Sequence, residues 1–340
     1  MFRVLSVCNK LPNSSNFLTR GRISTSFGRE SSTGTGNSVY NFIVESAPTE
    51  SVKQLLISIH DYSGLPWWAT IICTTAAFRT AITFPLAIYQ HYIIAKIENL
   101  KMLEMPEISE KVKRSVAMKA REYKWTDKKA TLMYKMMMKK EWDTLVVRDN
   151  CHPFKASLTI WFQLPVWVFL SAALRNASYM LPIKDAAAQV LYLQLAVGGF
   201  LWIPNLAQPD EYLILPIILA LSNLSIIEIQ ALRRLQDPTR FQRYATNFFR
   251  IFTLLIIPIS ATVPSVSLFL YLKKLFCTVF NFQAVSLYWT TSSVMGLAQN
   301  LLLMSNRLRK FCRIPDTPST LDHPYQQLAF DVKQKIKTLL

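Results

Sequence analysis

One arginine carries the chain's main chemical possibility. Arg79 stands near the middle of LPWWATIICTTAAFRTAITFPLAIYQHYI, an apolar run from Leu65 to Ile93. Lipid penalises a cation there by about 2.5–3.5 kcal/mol on insertion scales, so the group needs water or partners. On a helix, Thr75 and Thr83 lie one turn to either side on the same face, and Gln90 falls near that stripe. Pro85 removes one backbone hydrogen bond and frees the carbonyl of Ala81. Other apolar runs also carry polar residues: Gln163 beside Pro165; Ser222, Asn223 and Ser225; then Thr290, Thr291, Ser292, Ser293 and Gln299. A lone Ser or Thr in such a run commonly bonds back to its own helix. Polar groups from several spans at membrane depth instead indicate a water-filled cavity. No acid lies mid-span to neutralise Arg79, and Glu228, the nearest candidate, sits at a span end. The chemistry is therefore electrostatic: a fixed cation in a low-dielectric cleft attracts carboxylates more strongly than in water.

Other chemistries find little support. The five cysteines are scattered without a CxxC pair, and only four histidines exist. Cys151 and His152 are adjacent, which is not chelate spacing. No GxSxG, HExxH or P-loop pattern appears. The expectation is a protein that is not an enzyme and holds no cofactor or metal.

The elements that must position Arg79 follow from hydropathy. Half of the 340 residues are hydrophobic and cluster in long blocks, which points to an all-α integral membrane protein. After the first span, residues 96–155 hold 15 basic and 9 acidic side chains. They predict a helical hairpin outside the membrane, split around Pro106 and near Trp125, with Thr126 capping the second arm. Met133, Met136, Met137 and Met138 recur there at helical spacing, as hairpin packing or as an adaptable surface for apolar segments. Residues 156–174 form a second span, 213–227 a third, and 251–304 have room for two more.

The formal charge of +17 is unevenly placed. Segments 40–63 and 176–212 each carry one basic residue and three acids, whereas 231–250 has five basic residues and 305–340 seven. With five spans, all the basic segments fall on one side. The positive-inside rule places that side in the matrix of a mitochondrion, because residues 1–39 are Arg-rich, Ser-rich and acid-poor like a transit peptide. The mature N-terminus and residues 40–63 then face the intermembrane space.

Particular motifs add a family. SGLPWW at 63–68, FRTAITFPL at 78–86, QLPVWVFLSAALRN at 163–176, LWIPNLAQPD at 201–210 and SLYWTTSSVMGLAQNLLL at 286–303 resemble the YidC/Oxa/Alb membrane insertases over roughly residues 60–310. YQHYIIAKIENL and VRDNCHPFK are similar to the branch that assists cytochrome c oxidase assembly in mitochondria. The resemblance implies a five-transmembrane-helix core over 64–304, with a matrix hairpin between helices 1 and 2. It also implies a hydrophilic groove open to the matrix and to lipid. It places the groove arginine at Arg79, a polar groove residue at Gln163, and an aromatic pair at Tyr288 and Trp289. The full groove set is then Arg79, Thr75, Thr83, Gln163, Asn223, Tyr288 and Trp289. The implied client is subunit 2 of cytochrome c oxidase, whose acidic C-terminal domain must reach the intermembrane space. Other complex IV assembly factors and inner-membrane lipid are further implied partners, and nucleic acid is not. The tail from 305 is short for the ribosome-docking arm of the general mitochondrial insertase, so export after translation is favoured over that alternative. A solute carrier or channel is weaker still, since no internal repeat is visible.

One stretch departs from the family pattern. Residues 266–283, VSLFLYLKKLFCTVFNFQ, separate VPS from AVSLYW, which the family joins almost directly. Either an amphipathic loop or an intron retained in frame explains them, and no functional residue is expected within them.

Overall fold

A computed structural model describes residues 42–208, 212, 214–233, 240–260, 283–318, 320 and 322–339, with only the backbone of 241, 256–260, 336, 338 and 339. The expected transit peptide and residues 266–282 lie outside this set. Gln283 opens a described helix. Among the described residues the regular structure is entirely helical, apart from one isolated bridge between Phe200 and Ile203.

Helix α1 spans Ala47–Ser63 and ends at Gly64, whose φ of 63° gives the left-handed cap that lets the chain turn. His60 then stacks on Trp67, ring centroids 4.3 Å apart. Trp67 begins a continuous helical rod of 56 residues ending at Glu122. The rod consists of α2 (Trp67–Phe78), α3 (Phe84–Asn99) and α4 (Met105–Glu122), joined by two wider π-helical turns, Arg79–Thr83 and Leu100–Glu104. Each π turn ends two residues before a proline, Pro85 or Pro106. A proline ring clashes with the carbonyl four residues back, and the added residue in a π turn relieves that clash without ending the helix. The expected break at Pro106 is thus corrected: the span and the first hairpin arm are one rod.

Helix α5 (Asp127–Arg148) returns along α4. Thr126 occupies its N-cap position without a side-chain capping bond. Ser109 and Tyr134 share a hydrogen bond of 2.8 Å across the pair, and Arg148 bonds both oxygens of Glu104 at 2.8 and 2.9 Å. Of the methionines, Met136 is exposed while Met133, Met137 and Met138 are half-buried.

Helix α6 (Leu158–Tyr179) extends beyond the expected end of its apolar run. Arg175 is buried there, its guanidinium 5.3 Å from the Tyr179 ring centroid. Helix α7 (Ala186–Val197) and the turn after it close one end of the bundle. A Cβ on Gly199 would lie 2.0 Å from the Ile203 carbonyl oxygen, so only glycine fits this turn. Helices α8 (Ile214–Leu232), α9 (Arg240–Ser260) and α10 (Gln283–Leu302) complete the bundle. The backbone N–H groups of Gln283 and Ala284 bond Gln208 and Leu206 at 2.9 and 3.0 Å, which fixes the start of α10. By length and composition three described helices suffice to cross a membrane: Trp67–Glu122, Pro153–Tyr179 and Ile214–Leu232.

The tail folds back on the bundle. Helices α11 (Asn306–Phe311) and α12 (Pro324–Leu339) follow α10. Ile314 packs with Ala95 and Leu303, Asn99 Nδ2 donates to the Asp316 carbonyl at 2.9 Å, and Tyr325 donates to the Leu301 carbonyl at 3.0 Å. Glu228 joins three helices, pairing with Arg250 on α9 at 2.6 and 3.0 Å and with Lys335 on α12.

Candidate functional site

Arg79 sits at the inner end of a cavity of about 1080 Å³ bounded by α3, α6, α8, α9 and α10. Its side chain is only 9% exposed. Nε and Nη2 donate to the Ser292 hydroxyl at 3.1 and 2.6 Å. That uses two of five guanidinium donors and offsets none of the charge. Among the described residues no ion pair involves Arg79. Glu228, the one sequence candidate, is already held by Arg250 and Lys335.

The π turn sets this position. The Phe84 N–H reaches back five residues to the Arg79 carbonyl, and Gln299 Nε2 donates to that same oxygen at 2.8 Å. The backbone of the residue is thereby tied to α10 as firmly as its side chain. Ser292, Gly296 and Gln299 share one face of α10. A Cβ at Gly296 would stand 3.6 and 3.8 Å from Nη1 and Nη2, so the missing side chain leaves the guanidinium open. Sequence reasoning missed Gly296, although its spacing of four from Ser292 and three from Gln299 marks that face.

The structure brings Arg79, Thr83, Gln163, Asn223 and Trp289 to the cavity. Asn223 accepts from Ser293 at 2.8 Å. Trp289 donates to Ser171 at 2.8 Å and stacks on Trp167 with centroids 5.0 Å apart. Thr75 and Tyr288 lie off it. Thr75 is buried and bonds back to the Ile71 carbonyl at 2.7 Å, while Tyr288 is buried in the apolar core with Ile71, Leu174 and Leu219. Both sit one turn beyond the wet boundary, Thr75 four residues before Arg79 and Tyr288 four before Ser292. One edge of the cavity is apolar and exposed, with Ile160 and Leu164 on α6 and Phe252 on α9.

The outer end carries His91, Glu98, Arg233 and Arg309. Arg309 is 6% exposed and donates to the Pro315 carbonyl at 3.2 Å. Burial lowers its pKa, and the nearby Glu98 and Asp316 oppose that shift. Among the described residues, no three of His, Cys, Asp and Glu are close enough together to hold a metal ion.

The sequence matches the family described as 60Kd inner membrane protein over residues 58–310. A Mus musculus relative named "Cytochrome c oxidase assembly protein COX18, mitochondrial" is 44% identical over 290 residues, covering 85% of this chain and 81% of that one. The Homo sapiens protein of the same name is 42% identical over 299 residues, covering 87% and 83%. "Mitochondrial inner membrane protein OXA1" of Arabidopsis thaliana is 26% identical over 295 residues, covering 86% and 57%.

Proposed function

This chain belongs to the 60Kd inner membrane protein family, and from that premise we propose that it is a mitochondrial inner-membrane insertase serving cytochrome c oxidase assembly. It inserts membrane segments and exports the acidic C-terminal domain of oxidase subunit 2 to the intermembrane space, with no chemical step of its own. Five spans place the hairpin, the 231–250 loop and the tail in the matrix. Residues 1–39 serve as the transit peptide. The observation that carries this reading is Arg79: a buried cation, bonded to a neutral hydroxyl, at the end of a large cavity whose lining mixes polar and apolar side chains. A hydrophilic tail cannot cross bare hydrocarbon, because its backbone groups would go unpaired. A cavity shortens the dry path, and a cation at its inner end draws carboxylates into it. Attraction shared with Ser292 stays modest enough for release.

The docked tail favours this reading over a ribosome-linked insertase. The segment that would reach for a ribosome is instead held by Asn99, Leu301 and Glu228. The test is depletion of the protein followed by protease protection of newly made subunit 2. The acidic domain should stay inaccessible from the intermembrane space. Normal export after full depletion overturns the proposal.

A further inference from the structure

We propose that Arg309 and Arg233, set against Glu98 at the outer end of the cavity, form a second anion site that receives the carboxylates of an acidic polypeptide before Arg79 does. This rests on the insertase reading and adds a named entry step to it.

Three observations converge. Arg309 is a charged side chain more than nine-tenths buried, and it lines the cavity. Its Nη2 bonds the Pro315 carbonyl, but its buried Nε has no hydrogen-bond partner. A buried donor left unmade is costly, and an arriving carboxylate oxygen satisfies it. Second, Glu98 is the electrostatic neighbour of both arginines, and Arg309 also acts directly on Arg233. Asp316 also acts on Arg309, but from outside the cavity lining. Within the lining Glu98 is the acid that faces the two guanidiniums, which repel each other until a further carboxylate joins them. Third, this group and Arg79 line the same cavity. Glu98 lies nineteen residues beyond Arg79 on one continuous helical rod. At about 1.5 Å per residue the two levels are about 28 Å apart. An extended chain covers that in about eight residues. A segment with acids at about that spacing therefore touches both levels at once.

The wall between the two levels favours a polypeptide over a lipid. Gln90, Gln230 and Asn300 stand on it among apolar side chains such as Ile94, Ile226 and Ile229, and their amides offer hydrogen bonds that an extended backbone uses and an acyl chain does not. Glu98 then acts as a stand-in anion, which the client's carboxylate displaces on its way inward.

The test uses the full chain in phosphatidylcholine nanodiscs and a fluorescent twelve-residue peptide with two aspartates eight positions apart. Arg309→Gln and Arg233→Gln should each weaken binding about fivefold, and Glu98→Gln should strengthen it by a similar factor. A peptide with asparagine in place of aspartate should respond to none of them. Arg309 also holds the tail, so limited proteolysis checks that variant; Arg233, exposed in the turn after α8, decides the matter if the tail is loosened. Unchanged aspartate-peptide binding in Arg233→Gln and Glu98→Gln overturns the proposal. So does loss of cardiolipin retention by the arginine variants with peptide binding intact, which would mark a lipid site. Protease-protected export is scored in parallel. Peptide binding that follows these variants, with no export by the wild type, sinks the insertase reading and leaves the site. Export that proceeds while the variants leave binding unmoved sinks the site alone.

Discussion

Replacing Arg79 by alanine removes the inner cation and leaves the Ser292 hydroxyl facing the cavity. At an effective dielectric constant near 20, two unit charges 4 Å apart attract by about 4 kcal/mol, against about 1 kcal/mol in water. The gain for a client carboxylate moving in from water is therefore at most about 3 kcal/mol. Desolvation of the carboxylate and exchange with Ser292 take back part, leaving about 1–2 kcal/mol, or about five- to thirtyfold in capture. Arg79→Lys keeps the charge but loses the forked donor geometry, and should stay within about threefold of wild type. The assay is time-resolved protease protection of an acidic tail in isolated inner-membrane vesicles. A second client carries asparagine and glutamine at the acidic positions. Alanine should slow the acidic client by that factor and leave the neutral one unchanged. If both clients slow equally, Arg79 is structural, and if neither slows, the charge plays no part.

Three other outcomes follow from the same geometry. Glu228→Gln removes the anion that joins α8, α9 and α12, at a cost of about 1–2 kcal/mol. Tryptic release of the tail should speed up about five- to thirtyfold, and an unchanged nicking rate would contradict the three-helix junction. At the base of the hairpin, the hydrogen bond from Arg148 holds the Asp149 carboxyl below the ordinary range. Its stabilisation is full above about pH 4 and is lost as pH falls through the lower folded-state value. Hydrogen exchange over residues 96–155 should therefore be flat from pH 8 to 5, after correction for intrinsic rates, and rise only below about 4. A rise near neutrality would assign the stability to another group. Finally, Cys73 is exposed on the first span, whereas Cys151 is fully buried and burial raises its thiol pKa. In intact membranes maleimide should spare both thiols, Cys151 because it is buried and Cys73 because hydrocarbon keeps it un-ionised, and Cys73 should label first once mild detergent replaces the lipid. Labelling of Cys73 in intact membranes by a charged, membrane-impermeant maleimide would place it in water.

Much of the site was legible because membrane depth makes polarity expensive. Arg79, Gln163 and Asn223 stood out against apolar neighbours, and each lines the cavity. Thr75 did not follow them, since helical spacing gives a face and says nothing about where water stops along it. The boundary falls within one turn, and Thr75 lies on the dry side with its hydroxyl returned to Ile71. Tyr288, taken with Trp289 from the family's aromatic pair, lies in the apolar core, because consecutive residues on a helix do not share a face. Pro106 misled in another way: a proline reads as a break, but a π turn absorbed it and kept the rod continuous. Arg309 and Arg233 were read only as loop charge: Arg233 follows directly on α8, and the place of Arg309 at the cavity depends on the tail folding back. That folding rests on contacts such as Asn99 with the Asp316 carbonyl, between residues 217 positions apart, which no local pattern reveals.

The dry boundary also bears on how a hydrophilic tail crosses. Trp67, stacked on His60 at the closed end, lies twelve residues before Arg79 on the rod. At about 1.5 Å per residue the packed layer between them is about 18 Å thick, against about 30 Å for intact hydrocarbon. An extended chain needs about nine residues to cross the full core and about five or six to cross this layer. Each residue spared removes one N–H and one carbonyl that would otherwise be unpaired at several kcal/mol. On the proposed reading, that saving exceeds the about 1–2 kcal/mol contributed by the Arg79 charge. The cavity then does most to lower the barrier. The cation decides which tails enter, and its weak hold through Ser292 leaves them free to continue.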